Sequence, residues 1–205
     1  EVLGNRVALA GATIDASGPA GGGTVLVGGD FQGRGDVRTA SQTVVTAGST
    51  IRADATDQGD AGKVIVWSDQ LTRYHGSISA QGGANGGDGG FVEVSGKQYL
   101  QFNGAINTGA VSGRDGTILL DPQDIVIQQA PGDEDGEVAD ESVLFADGGP
   151  AATFTIGEAA LEALTGSITL QADRDITVQG NVTLDLLSLG DGEARVIDRA
   201  AASAF

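Results

Sequence analysis

The sequence predicts an all-β fold, a right-handed parallel β-helix (solenoid) with one short helix near residues 158–165, on three observations. A unit recurs. It opens with a glycine and a short strand (Gly48-Ser-Thr-Ile51-Arg-Ala53, Gly76-Ser-Ile78-Ser-Ala80, Gly104-Ala-Ile106-Asn-Thr108), and after a glycine-rich turn a second strand follows (Gly62-Lys-Val64-Ile-Val66, Gly90-Phe-Val92-Glu-Val94, Gly116-Thr-Ile118-Leu-Leu120). The units are evenly spaced, with corresponding isoleucines 27 apart (51 to 78) and 28 apart (78 to 106), within the range of about 20–50 residues that marks stacked repeats. Finally, the apolar positions alternate, as in Val64/Val66, Val92/Val94 and Ile118/Leu120. That is the period of a strand with one buried face and excludes helical repeats.

The elements follow in order. Residues 2–32 hold a fainter first copy, with strands expected at Arg6–Leu9, Ala12–Ala16 and Thr24–Val27. Its Ile14 precedes Ile51 by 37 (14 to 51), and the extra residues fall in Gly33–Ala47, an insertion that maps to a surface loop on one face. A third strand per coil is expected at Gln70–Arg73 and Gln98–Phe102. Stacking coils at roughly 4.8 Å makes inward columns of Ile14/Ile51/Ile78/Ile106 and Val25/Val64/Val92/Ile118, with small partners Ala16/Ala53/Ala80/Thr108 beside the turns. The first strand carries Asp15, Arg52, Ser79 and Asn107 outward, Asp15 above Arg52. The second carries Leu26, Ile65, Glu93 and Leu119, with Trp67 on the same side. An exposed apolar stripe is a contact surface unless the chain covers it. The expected cover for Leu26, Ile65 and Trp67 is the 33–47 insertion, with a partner surface as the alternative.

The repeat ends at Leu119-Leu120-Asp121-Pro122, because proline bars simple continuation of a central strand, and Ile125–Ile127 reads as one more strand. The acidic run Pro131-Gly-Asp-Glu-Asp-Gly-Glu137, continuing to Asp140 and Glu141, fits no EF-hand spacing and reads as a solvated loop. Gly82–Asp88 is close to the calcium nonapeptide but fails at Asn85 and has no tandem copy, so no metal and no cofactor are predicted. Thr155-Ile-Gly-Glu158 is a capping-box pattern that starts a helix over Ala159–Leu164, with Gly166 as its stop. Ser167–Gln171, Asp175–Val178 and Asn181–Leu186 read as successive sides of a further coil, and Arg195–Phe205 carries little signal. The organisation is therefore residues 1–128 as coils, 129–166 as an acidic loop and short helix, and 167–205 as a further coil and tail. Glu1 begins in mid-pattern, so the chain reads as a piece of something longer.

Composition narrows the function. A net charge of −17 argues against a nucleic-acid partner, which needs clustered positive charge. The chain has no cysteine, so no disulfide framework forms, and no apolar run is long enough to span a membrane. Glycosidic hydrolysis needs two carboxylates in a cleft, but with 28 acidic residues such pairs are inevitable and discriminate little. His75 is the lone histidine, Lys63 and Lys97 are the lysines, and nucleophile elbows, P-loops and metal spacings are absent. No catalytic residue is predicted, and the chain is not expected to be an enzyme. Two sets of candidate binding residues remain. Arg34-Gly35-Asp36 is the tripeptide integrins recognise, although Gly-Asp is also ordinary turn chemistry. Trp67, Tyr74 and Tyr99, with Phe102, make either a platform for sugars or rings that pack turns and coil ends.

Four blocks resemble the filamentous haemagglutinin family of large exoproteins: residues 22–33 (GGTVLVGGDFQG), 62–69 (GKVIVWSD), 86–97 (GGDGGFVEVSGK) and 116–122 (GTILLDP). The resemblance covers residues 2–128, and 153–184 is also similar. It implies a rod at the surface of a Gram-negative bacterium, secreted through a dedicated outer-membrane two-partner transporter. It further implies adhesion, aggregation or biofilm formation, with a host or neighbouring-cell surface or a polysaccharide as partner and self-association into filaments as an option. The family's secretion domain with its Asn-Pro-Asn motifs is absent, so no transporter-binding residue carries over. A carbohydrate-binding or polysaccharide-cleaving β-helix is the alternative function.

Overall fold

The structure is a computed structural model that describes residues 1–123, 125–128, 154–172, 174–180 and 194–198. Strands follow one another in triplets: β1 (Arg6–Leu9), β2 (Thr13–Asp15), β3 (Thr24–Val27); then β4 (Gln42–Val45), β5 (Thr50–Arg52), β6 (Lys63–Ser68). The next are β7 (Leu71–Tyr74), β8 (Ser77–Ser79), β9 (Phe91–Gly96), and β10 (Tyr99–Phe102), β11 (Ala105–Asn107), β12 (Thr117–Leu120). Each triplet gives one strand to each of three sheets, ordered β2-β5-β8-β11, β3-β6-β9-β12 and β1-β4-β7-β10, and every pairing is parallel. The regular structure of the described residues is thus nearly all strand, and almost all of its pairing is between residues distant in sequence.

Register follows the isoleucine repeat. Ile14 pairs with Ile51, Ile51 with Ile78 and Ile78 with Ile106 in the first sheet, and Val25, Val64, Val92 and Ile118 align in the second. All but Ile14 are buried, in one continuous cluster with Ala53 and Ala80. A slip of one residue would turn every such side chain to the opposite face, so the alternation holds the pairing in place. In the third sheet Leu9, Val45, Tyr74 and Phe102 align and belong to that cluster. The inward Tyr74 carries β7 one residue beyond the expected Gln70–Arg73, whereas β10 ends at Phe102 as expected. The segment expected as an insertion over 33–47 also contains a strand. Gln42–Val45 pairs with both β1 and β7, because Val45 fits the inward column, and the irregular part is confined to 28–41.

Past Pro122 the pairing continues, with β13 (Ile125–Gln128), β14 (Phe154–Gly157), β15 (Ser167–Ala172), β16 (Ile176–Val178) and β17 (Ala194–Asp198). β15 extends the second sheet in register, Ile118 beside Ile168 and Leu120 beside Leu170, and β17 extends it again. The tail expected to carry little signal therefore contributes a strand over 194–198. β13, β14 and β16 form a separate parallel sheet in which β14 also packs on β10. Among the described residues the one α-helix, α1 (Glu158–Glu162), buries Leu161. Its start differs from expectation: Thr155 lies in β14, the N-cap is Gly157, and no side chain caps the helix. Pairing with Val126 has drawn Thr155 into a strand, and Ile156 alongside it is fully buried. The acidic run 131–141 and the strand expected at Asn181–Leu186 lie outside the described residues. Among the described residues no helix is long and apolar enough to cross a membrane.

Candidate functional site

The outer face of the second sheet departs from the polar exterior expected of a solvated strand. Leu26, Ile65, Glu93 and Leu119 lie side by side in register, and all four are buried. The cover is a strap, residues 28–41. Leu26, Ile65 and Trp67 form a second buried cluster beneath it, with Val37 and Phe91 packed against them. The expectation that the chain itself covers this stripe holds, although the covering residues start before Gly33.

Local chemistry explains why the strap can lie so close. Gly29 and Gly33 rest flat on the indole of Trp67, where an added Cβ would come within 2.7 Å of Cδ1 at Gly29 and 2.6 Å of Cζ2 at Gly33. Asp30 turns the chain by accepting from the Phe31 amide at 2.7 Å, and a 3-10 turn over Phe31–Gly33 follows. The base of the strap is closed by the Ala40 amide donating to the Gly28 carbonyl at 2.6 Å. Side chains fasten its length: Lys63 Nζ reaches Asp30 at 2.9 Å, and the Thr39 hydroxyl donates to Asp69 at 2.7 Å. The Lys63 ammonium is the main reason that the Asp30 carboxyl sits below its ordinary range. Phe31 meets Phe91 edge-on, ring centres 5.6 Å apart.

At the centre of the strap Gln32 takes a left-handed conformation, φ 52°, unusual for a residue with a side chain. This aims its amide at Glu93, donating to both carboxylate oxygens at 3.2 and 3.1 Å. Its side-chain amide donates to Asp121 Oδ2 at 3.2 Å. Glu93 is wholly shielded from solvent, and burial pushes its carboxyl up to about 7; the Gln32 amide and the Ser95 hydroxyl oppose that shift, while Asp121 and Asp30 reinforce it. A carboxyl at that value sits near the point where charge is gained or lost at neutral pH.

The residues singled out in the sequence separate. Arg34, Gly35 and Asp36 are exposed on the outer side of the strap. Trp67 and Tyr74 are buried, which corrects the sugar-platform reading. Trp67 lies under the strap, whereas Tyr74 points into the core and stacks on Phe102, ring centres 5.5 Å apart and 13° from parallel. Burial raises the Tyr74 hydroxyl well above its usual range. Tyr99 is half-buried, on the outward side of the third sheet. These rings do not form one exposed face. Sequence reasoning missed Gln32 and Asp121 and placed Glu93 only as an outward residue. The available signal was a lone carboxylate in an otherwise apolar column.

The turn with the calcium-like pattern is explained by contacts between repeats. Asn85 donates to Asp57 at 2.6 Å, the Asp88 amide to Asp60 at 2.7 Å, and the Arg114 amide to Asp88 at 2.9 Å. Among the described residues no group of three or more His, Asp or Glu side chains is gathered to hold a metal ion. A shallow open groove runs over Gly62, Gly90 and Gly116, flanked by Lys63, Phe91 and Asp88. Its glycines are accounted for without a ligand, since a Cβ on any of them would strike the carbonyl of the preceding repeat. No known family profile matches the chain, and no curated protein matches it.

Proposed function

We propose that this chain is a non-catalytic structural segment of a secreted bacterial surface adhesin or filament, built as a right-handed parallel β-helix of the kind found in the filamentous haemagglutinin family. The observation that carries the reading is the Ile14–Ile51–Ile78–Ile106 column, in register across four successive strands. Such a stack lengthens by adding repeats without redesign of the core, as a rod requires, because each repeat contacts only its neighbours. Strand-to-strand crossovers in parallel sheets are right-handed in nearly all cases, which supports that hand. The function is to supply length and stiffness at the surface of a Gram-negative bacterium, for adhesion, aggregation or biofilm matrix. Export runs through an outer-membrane two-partner transporter, and the partners are a cell surface or polysaccharide, or further copies of the chain.

Small-angle scattering and electron microscopy of the purified chain test the shape: an elongated particle is expected, and a sphere refutes the rod. Reducing-end assays on bacterial and host polysaccharides test the absence of catalysis. Turnover that Glu93→Gln or Asp121→Asn abolishes would replace the structural reading with the polysaccharide-cleaving one.

A further inference from the structure

We propose that residues 28–41 act as a pH-governed strap, closed on the second sheet while Glu93 is neutral and released when Glu93 is charged. Glu93 alternates with Val92 and Val94, both in the core, so it must face outward under the strap. Ile65 and Leu119 flank it in register, and both are buried. Above it the Gln32 amide divides one N–H between two oxygens. A full negative charge in that position has lost its water and gained one shared backbone donor and the Ser95 hydroxyl, which together do not offset its burial.

The charged groups on the surrounding elements do not relieve it. Asp30 on the strap and Asp121 after β12 both act on Glu93 with the wrong sign. Lys63 on β6, the nearby cation, is spent on Asp30 at 2.9 Å. Asp69, after β6, takes the Thr39 hydroxyl and, at 3.4 Å, the Trp67 indole N–H. The strap has the backbone to move, since Gly28, Gly33 and Gly35 lack a Cβ and can cross between φ regions.

The direction follows from proton linkage. With the strap closed the carboxyl titrates at about 7, whereas an open strap returns it to water and its ordinary 4.5. The closed form therefore binds the proton more tightly. Closure is strongest below pH 4.5, weakens as pH rises from 4.5 to 7, and is weakest above that window. A separation of 4.5 to 7 corresponds to a roughly 300-fold fall in the closing constant.

Trp67 is the only tryptophan of the chain and lies directly beneath the strap, so it reports closure. Acrylamide quenching of its fluorescence in the full chain, from about pH 4 to 8, should rise with a midpoint between 4.5 and 7. Amide exchange over 28–41, corrected for the intrinsic pH dependence of exchange, should accelerate across the same range. Glu93→Gln keeps an acceptor for Gln32 and removes the charge, so its Trp67 should stay protected throughout. Should that variant fail to fold, Asp121→Asn serves instead, because removing one repelling charge must move the wild-type midpoint to lower pH. Flat quenching and exchange in the wild type, a transition that survives in Glu93→Gln, or a midpoint unmoved by Asp121→Asn would each overturn the proposal.

Discussion

Replacing Gly62 by alanine tests how tightly adjacent repeats approach. The new Cβ would overlap the Gly23 carbonyl oxygen and sit 2.8 Å from the carbonyl carbons of Gly22 and Gly23. No rotamer relieves this, because the obstacle is backbone, and that backbone is fixed by its own bond from the Lys63 amide to Gly23 O at 3.0 Å. Overpacking against movable side chains costs about 1–3 kcal/mol, and loss of the Lys63–Gly23 bond adds about 1 kcal/mol. We therefore expect a loss of about 3–4 kcal/mol. Gly48→Ala is the matched control. It has a positive φ of 79° but nothing within 4 Å of the added Cβ, so its cost is the backbone term of about 1–2 kcal/mol. Urea unfolding monitored by circular dichroism separates the two, and at a slope of about 2 kcal/mol/M the midpoints should differ by about 1 M. If the two variants unfold within about 0.25 M of each other, the close approach of repeats is not what demands glycine at position 62.

Ile78→Ala should destabilise the chain by about 3–5 kcal/mol, at the upper end for such changes, since Ile51 and Ile106 on either side are held by their own pairing and cannot collapse into the gap; a urea midpoint shift at unchanged slope measures it. Tyr74→Phe should be neutral or stabilising by about 1 kcal/mol, because the hydroxyl is buried with no hydrogen-bond partner among the described residues while the ring stack on Phe102 is retained; a fall in melting temperature of several degrees refutes that. Arg114→Gln removes a solvent-exposed pair with Asp88 and should leave the melting temperature unchanged, as exposed ion pairs contribute little.

Much of the fold is legible in the residues. Ile51, Ile78 and Ile106 announce their own register through spacing alone, and the alternation in Val64/Val66 and Val92/Val94 declares which side is inward. The candidate site is legible only in outline. Leu26, Ile65 and Trp67 reveal that something must cover the second sheet, but the partner of Glu93 is 61 residues away in sequence, and no local pattern links Gln32 to it. Trp67 and Tyr74 were misleading for a related reason: composition counts aromatic rings without saying which side of a strand they occupy. Tyr74 is one residue beyond the expected strand end, and that single position turns it inward. Thr155 shows the same limit, since a sound capping pattern lost to strand pairing with β13.

By itself the sequence determined the period, the parallel strand character and the inward columns, because repetition and alternation are local and each copy carries the whole instruction. Tertiary structure alone decided that residues 28–41 lie on Glu93 and that Asp30 and Asp121 converge there. Burial of a charge depends on what packs above it, and that is settled by long-range approach.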